Sequence, residues 1–369
     1  MAGGARVVQA GEVRSARIES LRALAAMSVL VGHVWLFSQG AASATYPHRL
    51  VEAGRYGVWL FFALTGYLLF WPFVRSGAID LRRYALNRVL RILPLYYFVV
   101  VVLLVIDQHG GSSTQWLRFT TMTESFSRST VGTVDVPIWS LAVEVQFYAL
   151  LPVLAWLLMR TGSVRRAAIG LCVLAGLSLV VWFVKVHAPA APDLRWRYSL
   201  PATFFNFTAG MFLALLRART ARLPVRSDVL IAGGVALWLV AASAIRWAEP
   251  LCALGAALIV GALVLPVNEG PLTRSLAFRP LAALGVASYS LYLWHVPVIR
   301  SLHSHTGVGT AALLVGGAGF AIAVAAVSYL GVERPFLGLR RRWGPVVAEP
   351  AGAPLSDVAA APAPETATA

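Results

Sequence analysis

The chain has 369 residues, of which 58% are hydrophobic and 13% are charged. Soluble domains carry about 25% charged residues, so this composition excludes an ordinary soluble protein. The formal net charge is +15, and basic residues that face anionic membrane lipid explain an excess of this kind. A nucleic-acid partner is therefore not needed to account for the charge.

Ten apolar stretches long enough to cross a membrane follow one another along the chain. They cover residues 20–38, 56–74, 88–106, 138–158, 167–186, 199–216, 229–245, 250–267, 281–299 and 310–331. An apolar helix of about 20 residues crosses a bilayer, whereas a membrane β-barrel shows short alternating segments instead. The sequence therefore predicts an all-α fold, a polytopic transmembrane helical bundle of about ten spans.

The distribution of basic residues predicts the orientation of this bundle. If the N-terminus is cytoplasmic, the cytoplasmic segments hold nineteen arginines and the outer loops hold nine arginines or lysines. Because cytoplasmic loops of membrane proteins retain positive residues, the bias predicts that the N- and C-termini are both cytoplasmic. We expect a multi-pass protein of the cytoplasmic (inner) cell membrane, and its oligomeric state stays open.

Composition divides the chain into three regions. Residues 1–16 are predicted to be a flexible N-terminal segment, and residues 17–343 to form the membrane domain. Residues 344–369 are rich in proline and alanine, which cannot bury a core, so a disordered tail is expected. The longest outer loop, residues 107–137, is rich in serine, threonine and glycine and is predicted to lie over a site as a loop or lid.

The first span, SLRALAAMSVLVGHVW, has an arginine at one end and a histidine inside its apolar stretch. Arg22 and His33 are eleven positions apart, which places them on nearly the same face of a helix, about 16 Å apart along its axis. Ionisable residues inside a membrane are costly and are functional candidates, and span four adds Glu144 and span nine adds His295. Their positions predict one layer of ionisable groups, roughly 6–10 Å below the outer boundary.

Further polar residues lie on shared helix faces. In PIWSLAVEVQFY, Ser140, Glu144 and Tyr148 follow each other at intervals of four residues and share a face. The alternative to a catalytic Glu144 is a hydrogen bond between two helices. In RRYALNRVLRILPLYY, Arg88 and Arg91 share a face at the cytoplasmic edge, either as a snorkelling cluster or as a phosphate clamp.

Five stretches of the sequence, in this order, match the pattern of one family. They are LRALAAMSVLVGH, VWLFFALTGYLLF, RRYALNRVLRILPLYY, IWSLAVEVQFY and YSLYLWHVP. Through them the chain resembles the acyltransferase-3 family of integral membrane acyltransferases over about residues 17–336. The family's motif residues fall on Arg22, His33, Trp139, Ser140, Leu141, Glu144, Tyr289, Ser290, Tyr292 and His295. Thr65 departs from the serine that is usual in the family but keeps the hydroxyl, and the chain looks like a stand-alone member.

The resemblance implies an enzyme, a membrane-embedded O-acyltransferase. Its expected reaction moves an acyl group, with acetyl as the expected group, from cytoplasmic acyl-CoA to a hydroxyl of an acceptor. Arg22, Arg88 and Arg91 would hold the phosphates of coenzyme A, and the thioester would reach His33. His33 would act as a general base or as an acyl-accepting nucleophile, and Glu144 would orient it or stabilise its charged form.

The remaining substrate-binding residues and partners are also implied by the resemblance. The predicted substrate-binding residues beyond the three arginines are Ser140, Tyr148, Tyr289, Tyr292 and His295. No permanently bound cofactor and no metal site is expected, and acyl-CoA is a substrate. The acceptor stays open among a polysaccharide, peptidoglycan, a lipid-linked sugar and a secondary metabolite. A proton-coupled transporter that uses the His/Glu layer is the main rival, and a membrane scaffold is the second.

Overall fold

The computed structural model describes residues 2–39, 45–76, 79–107, 109–187, 193–243 and 247–341, and within these ranges no strand occurs. In chain order the helices are α1 (Ala2–Gln39), α2 (Tyr46–Glu52), α3 (Val58–Ser76), α4 (Leu81–Val102), α5 (Ser113–Thr120), α6 (Ile138–Met159), α7 (Val164–Trp182), α8 (Leu194–Arg197), α9 (Leu200–Arg219), α10 (Ser227–Ser243), α11 (Ala248–Val264), α12 (Pro271–Ser275), α13 (Arg279–Val286), α14 (Ser288–Thr306), α15 (Thr310–Ala312), α16 (Ala318–Ser328) and α17 (Arg334–Arg341). Short 3₁₀ or π segments extend or join several of these helices.

Each of the ten predicted spans overlaps one or more helices among the described residues. Among the described residues, 7 helices are long and apolar enough to cross a membrane. The α13–α14 pair passes the same test as one span that is bent by 71°, and α10 and α11 are shorter apolar helices. The prediction of an all-α polytopic bundle is confirmed. The count of ten and the cytoplasmic termini stay predictions.

Of the two regions predicted at the chain ends, the structure describes the N-terminal one and not the C-terminal one. Helix α1 begins at Ala2 and therefore includes most of the segment predicted to be flexible. The tail predicted to be disordered, residues 344–369, lies outside the described residues. The division into three regions stays a prediction.

Helices α3 and α9 pack closely because each has a glycine at the contact. A Cβ atom on Gly66 would collide with the carbonyl oxygen of Phe207, and one on Gly210 would collide with the carbonyl oxygen of Ala63. The two backbones therefore approach each other where α3 carries Thr65. Small residues are the usual means of close helix packing in membranes. This contact fixes the position of α3 in the centre of the bundle.

Helix α1 is held against α13 and α14 near the start of its apolar stretch. A Cβ atom on Gly285 would collide with the carbonyl oxygen of Glu19, so α13 lies directly on α1 there. Arg17 forms an ion pair with Glu269 at 2.6 Å, which joins α1 to the connection before α12. The chain then bends between α13 and α14, so that α14 lies along the part of α1 that contains His33.

The connection between α4 and α6, predicted to be a loop or lid, is folded and packed. Ser112 and Gln115 form a capping box at the start of α5. The hydroxyl group of Tyr96 in α4 donates to the carbonyl oxygen of Phe119 at 2.7 Å, which fastens α5 to the bundle. Glu124 is buried in the short 3₁₀ turn that follows, and burial raises the pKa of its carboxyl group to about 7.

Candidate active site

A pair of buried histidines joins α1 to α14. The Nδ1 atom of His33 lies 3.1 Å from the Nε2 atom of His295 and 3.0 Å from the carbonyl oxygen of Val29. The Nδ1 atom of His295 lies 2.7 Å from the carbonyl oxygen of Tyr292. Both residues are buried: His33 is 7% exposed and His295 is 1% exposed. The predicted proximity of His33 and His295 is therefore a direct contact.

The two carbonyl contacts determine where the protons of the histidine pair lie. A carbonyl oxygen only accepts, so Nδ1 of His295 carries a proton and its Nε2 presents a lone pair. Nδ1 of His33 then carries the proton that faces both Val29 and His295. This leaves the lone pair of His33 on Nε2, to which no residue in the described part of the chain donates. A fixed tautomer with a free lone pair suits a general base or a nucleophile.

Glu144 has partners other than the one expected from the sequence. Its Oε1 atom accepts hydrogen bonds from Thr65 at 2.8 Å and from Tyr148 at 2.5 Å. Within the described ranges no hydrogen bond or ion pair joins Glu144 to His33. The expectation that Glu144 lies beside His33 and orients it is therefore wrong as to contact, and His295 and Val29 occupy that place. Depth along a helix is readable from sequence, but helix rotation and tilt are set by packing.

The hydroxyl groups of Ser140 and Tyr292 connect α6 to the histidine pair. They lie 2.7 Å apart, and both reach the carbonyl oxygen of Pro137, at 3.0 and 3.3 Å. The ring of Tyr292 is 5.7 Å from that of His295 between centroids. The predicted face of α6 thus reaches the histidines through Ser140 and Tyr292, and one turn further along it reaches Thr65 through Glu144.

A cleft opens at the end of the bundle where α1 carries Arg22. We call it the inner cleft, since the predicted topology makes this end cytoplasmic. It encloses about 850 Å³ of space not filled by atoms, part of it open to the outside. The predicted site residues that line it are Arg22, Arg88, Arg91, Ser140, Glu144, Tyr148, Tyr289 and Tyr292. The structure therefore brings together the three arginines, as the sequence predicted.

Two of the three arginines of the inner cleft are already paired with carboxylates. Arg91 forms an ion pair with Glu333 at 2.7 Å, and Arg22 forms one with Glu19 at 3.2 Å. Arg88 forms no ion pair with the described residues, and its guanidinium group lies 5.7 Å from the ring centroid of Tyr148. Of the three arginines, Arg88 is thus the one whose positive charge is not neutralised by a carboxylate among the described residues.

A second cleft opens at the opposite end of the same helices. We call it the outer cleft; it encloses about 720 Å³ of unfilled space, and its lining includes His33, Arg55, Trp59, Trp139, Arg197, Tyr198, Glu249 and Tyr292. Tyr292 lines both clefts. Val58 also lines both, so the two clefts come closest at these two residues; His33 lines the outer cleft, and the ring of His295 packs against that of Tyr292.

The sequence profile of the acyltransferase-3 family (Acyl_transf_3), described as an acyltransferase domain, matches residues 15–330. The chain belongs to the acyltransferase-3 family. The resemblance predicted from the five sequence stretches is confirmed, and the matched region of this acyltransferase-3 chain includes both clefts. No solved structure matches it.

Three curated relatives of this acyltransferase-3 chain have names that describe bacterial O-acetyltransferases. It is 25% identical over 318 residues to the peptidoglycan O-acetyltransferase OatA of Listeria monocytogenes, covering 76% of this chain and 49% of the relative. It is 26% identical over 322 residues to the putative peptidoglycan O-acetyltransferase YrhL of Bacillus subtilis, covering 76% and 48%. The O-acetyltransferase OatA of Staphylococcus aureus is 23% identical over 326 residues, covering 78% and 51%. The chain thus spans about half the length of the curated relatives it matches.

Sequence reasoning missed several charged residues of this acyltransferase-3 site. Glu333 holds Arg91 and accepts a hydrogen bond from Ser290 at 2.7 Å. Its signal was a single acidic residue at the end of the last apolar stretch, in GVERPF. Arg55 and Glu249 of the outer cleft lie at predicted span ends, where charged residues are common, so nothing in the sequence set them apart.

Proposed function

We propose that this chain is a membrane-embedded O-acyltransferase that moves an acetyl group from acetyl-CoA to a hydroxyl of a carbohydrate acceptor. The observation that carries the proposal is the buried histidine pair beside the outer cleft, with the free lone pair of His33 on Nε2. Its family membership and the names of its relatives, which describe O-acetyltransferases, support the reaction class. The proposed location is the cytoplasmic membrane, with the inner cleft facing the cytoplasm.

The inner cleft has the chemistry that a coenzyme A donor needs. The Nε atom of Arg88 and one terminal nitrogen of Arg91 are buried without a hydrogen-bond partner among the described residues. Three guanidinium groups line this one cleft, and phosphate oxygens are the acceptors that the planar fork of arginine suits. Arg22 lies on the same wall, three helical turns before His33. The extended pantetheine arm would bridge this length and bring the thioester to the histidine pair.

The proposed chemistry uses Nε2 of His33 in one of two ways. In the direct route, this nitrogen takes the proton of the acceptor hydroxyl as the hydroxyl oxygen attacks the thioester carbon. The carbon–sulfur bond breaks, and the coenzyme A thiolate takes the proton from His33. In the two-step route, Nε2 attacks the thioester carbon and the thiolate leaves. The acceptor hydroxyl oxygen then attacks the acyl carbon and displaces His33, and the proton of that hydroxyl passes to the thiolate.

His295 and Val29 have the same role in both routes. Each offers an electron pair to the Nδ1–H group of His33, at 3.1 and 3.0 Å. Positive charge that develops on the imidazole ring is therefore stabilised at Nδ1 while Nε2 reacts. These two hydrogen-bond acceptors also prevent the imidazole ring of His33 from rotating. His295 is accordingly a positioning residue in this proposal.

The test is coenzyme A release by the purified full chain in detergent, with radiolabelled acetyl-CoA as the donor and with water and glycerol as small molecules that supply an acceptor hydroxyl. We expect release in the wild type and its loss in His33→Ala. The matched control is His305→Ala, since His305 is an exposed histidine near the end of α14. Proteoliposomes that show a proton flux but no His33-dependent coenzyme A release would favour the transporter instead.

A further inference from the structure

Three aromatic side chains form one wall of the outer cleft. The rings of Trp139 and Tyr198 are nearly parallel, at 11°, with centroids 4.5 Å apart. Trp59 meets Trp139 edge-on at 6.1 Å. They come from α3, from α6 and from the turn before α9, so three separate elements converge here. This wall is large and apolar although it faces a cleft that also holds charged groups.

The charged groups of the outer cleft are held in balanced pairs. Arg197 forms an ion pair with Glu249 at 2.6 Å, and Arg55 forms one with Glu52 at 2.7 Å. Glu249 also accepts a hydrogen bond from Trp182 at 2.7 Å. The cleft thus presents donors and acceptors in fixed positions with little net charge, which suits a neutral ligand with many hydroxyl groups.

One donor in this wall has no partner. The indole Nε1 atom of Trp59 is buried and forms no hydrogen bond with the described residues, and Trp59 as a whole is 4% exposed. A buried indole N–H usually finds an acceptor, because leaving it unpaired is costly. Trp59 lines the outer cleft. The unpaired donor lies within the wall and not on its accessible surface, so the rings and the paired charges are the groups that a ligand would contact.

We propose that the outer cleft is the binding site of the acyl acceptor, and that the acceptor is a neutral sugar unit whose apolar ring face packs on the Trp139–Tyr198 wall. This rests on the proposed acyl transfer. A sugar ring has an apolar face of C–H groups and a rim of hydroxyls, which matches an aromatic wall with charged groups at its edge. His33 lines the same cleft, so an acceptor hydroxyl bound there lies next to the residue proposed to react with it. Donor and acceptor would then enter from opposite ends of the bundle.

The test compares how coenzyme A release depends on each substrate. The probe is the neutral N-acetylglucosamine trimer, added to purified full chain with acetyl-CoA. We expect the trimer to increase His33-dependent release in the wild type. In Tyr198→Ala, the half-saturating trimer concentration should rise at least about tenfold, whereas the half-saturating acetyl-CoA concentration should move less than about twofold. Tyr198→Phe keeps the ring and should stay within about threefold of the wild type for the trimer.

The matched control is Trp196→Ala, which removes an exposed aromatic side chain of α8, two residues before Tyr198 and outside the cleft lining. It should leave both concentration dependences unchanged. If coenzyme A release depends on His33 but the trimer does not increase it, the proposed acceptor site is wrong while the proposed acyl transfer stands. A Tyr198→Ala variant that is correctly folded by its melting curve and has the wild-type trimer dependence leads to the same conclusion. An absence of any His33-dependent release removes the proposed function, and this inference with it.

Discussion

His295 Nε2 lies 3.1 Å from His33 Nδ1, although 262 positions separate the two residues. The contact joins the first long helix of the chain to α14, and both residues are buried. Carbonyl oxygens accept hydrogen bonds from the two Nδ1–H groups. The lone pair that the proposed reaction uses is therefore on Nε2 of His33. The catalytic role proposed for His33 therefore depends on a residue from the other end of the domain.

The histidine contact predicts a graded loss of turnover. His33→Ala removes the proposed base or nucleophile and should lower kcat by about 10²–10⁴. His295→Ala removes only the acceptor of the Nδ1–H group and should lower kcat by about 10–100-fold. His295→Gln retains an acceptor oxygen and should recover part of that loss. Equal losses in His295→Ala and His295→Gln, at unchanged KM, would show that His295 does not act through this hydrogen bond.

Glu144 joins two helices, which predicts an effect on stability. Glu144→Gln keeps an oxygen that accepts from Thr65 and Tyr148, so kcat should stay within about threefold of the wild type. Glu144→Leu leaves both hydroxyl groups without their acceptor and should lower the free energy of unfolding by about 1–3 kcal/mol. Turnover and Tm measured on the same variants separate the two roles. A 10²–10³-fold loss of turnover in Glu144→Gln at unchanged Tm would restore its predicted role in catalysis.

Arg88 is the arginine of the inner cleft on which donor binding should depend most. Arg22 and Arg91 are paired with carboxylates, whereas Arg88 forms no ion pair with the described residues. Arg88→Ala should raise the KM for acetyl-CoA about tenfold, and Arg88→Lys should recover only part of it, because lysine lacks the planar fork of donors. Arg75→Ala, an exposed arginine at the end of α3, is the control. A larger effect in Arg75→Ala would place the donor elsewhere.

Glu124 predicts a pH dependence of stability. Burial raises the pKa of its carboxyl group from 4.5 to about 7, so the folded chain binds this proton more tightly than the unfolded chain does. The stabilisation is complete below the ordinary pKa and is lost as the pH rises through about 7. A shift of this size corresponds to about 3 kcal/mol. The Tm of the wild type should therefore fall between about pH 4.5 and pH 7, and that of Glu124→Gln should fall less; identical slopes would exclude this origin.

Composition and local spacing determined the class of the protein and the main contents of the inner cleft. Long apolar stretches leave helices as the only way to pair backbone groups within a membrane, so the all-α bundle followed from the sequence. The eleven-residue interval from Arg22 to His33 placed the two on one side of α1, because the pitch of a helix is fixed by its hydrogen bonds. The spacing of Ser140, Glu144 and Tyr148 gave one face of α6 for the same reason.

Relations between distant elements were decided by tertiary packing. Equal estimated depths put Glu144 in the layer of His33, yet the rotation of α6 turns Glu144 towards Thr65 and leaves His295 as the partner of His33. The outer cleft has no local sequence signal, since its wall is assembled from three elements far apart in the chain. Helical pitch is a property of the local backbone. Helix rotation and tilt depend instead on which residues meet between helices, as Gly66 of α3 meets Phe207 of α9.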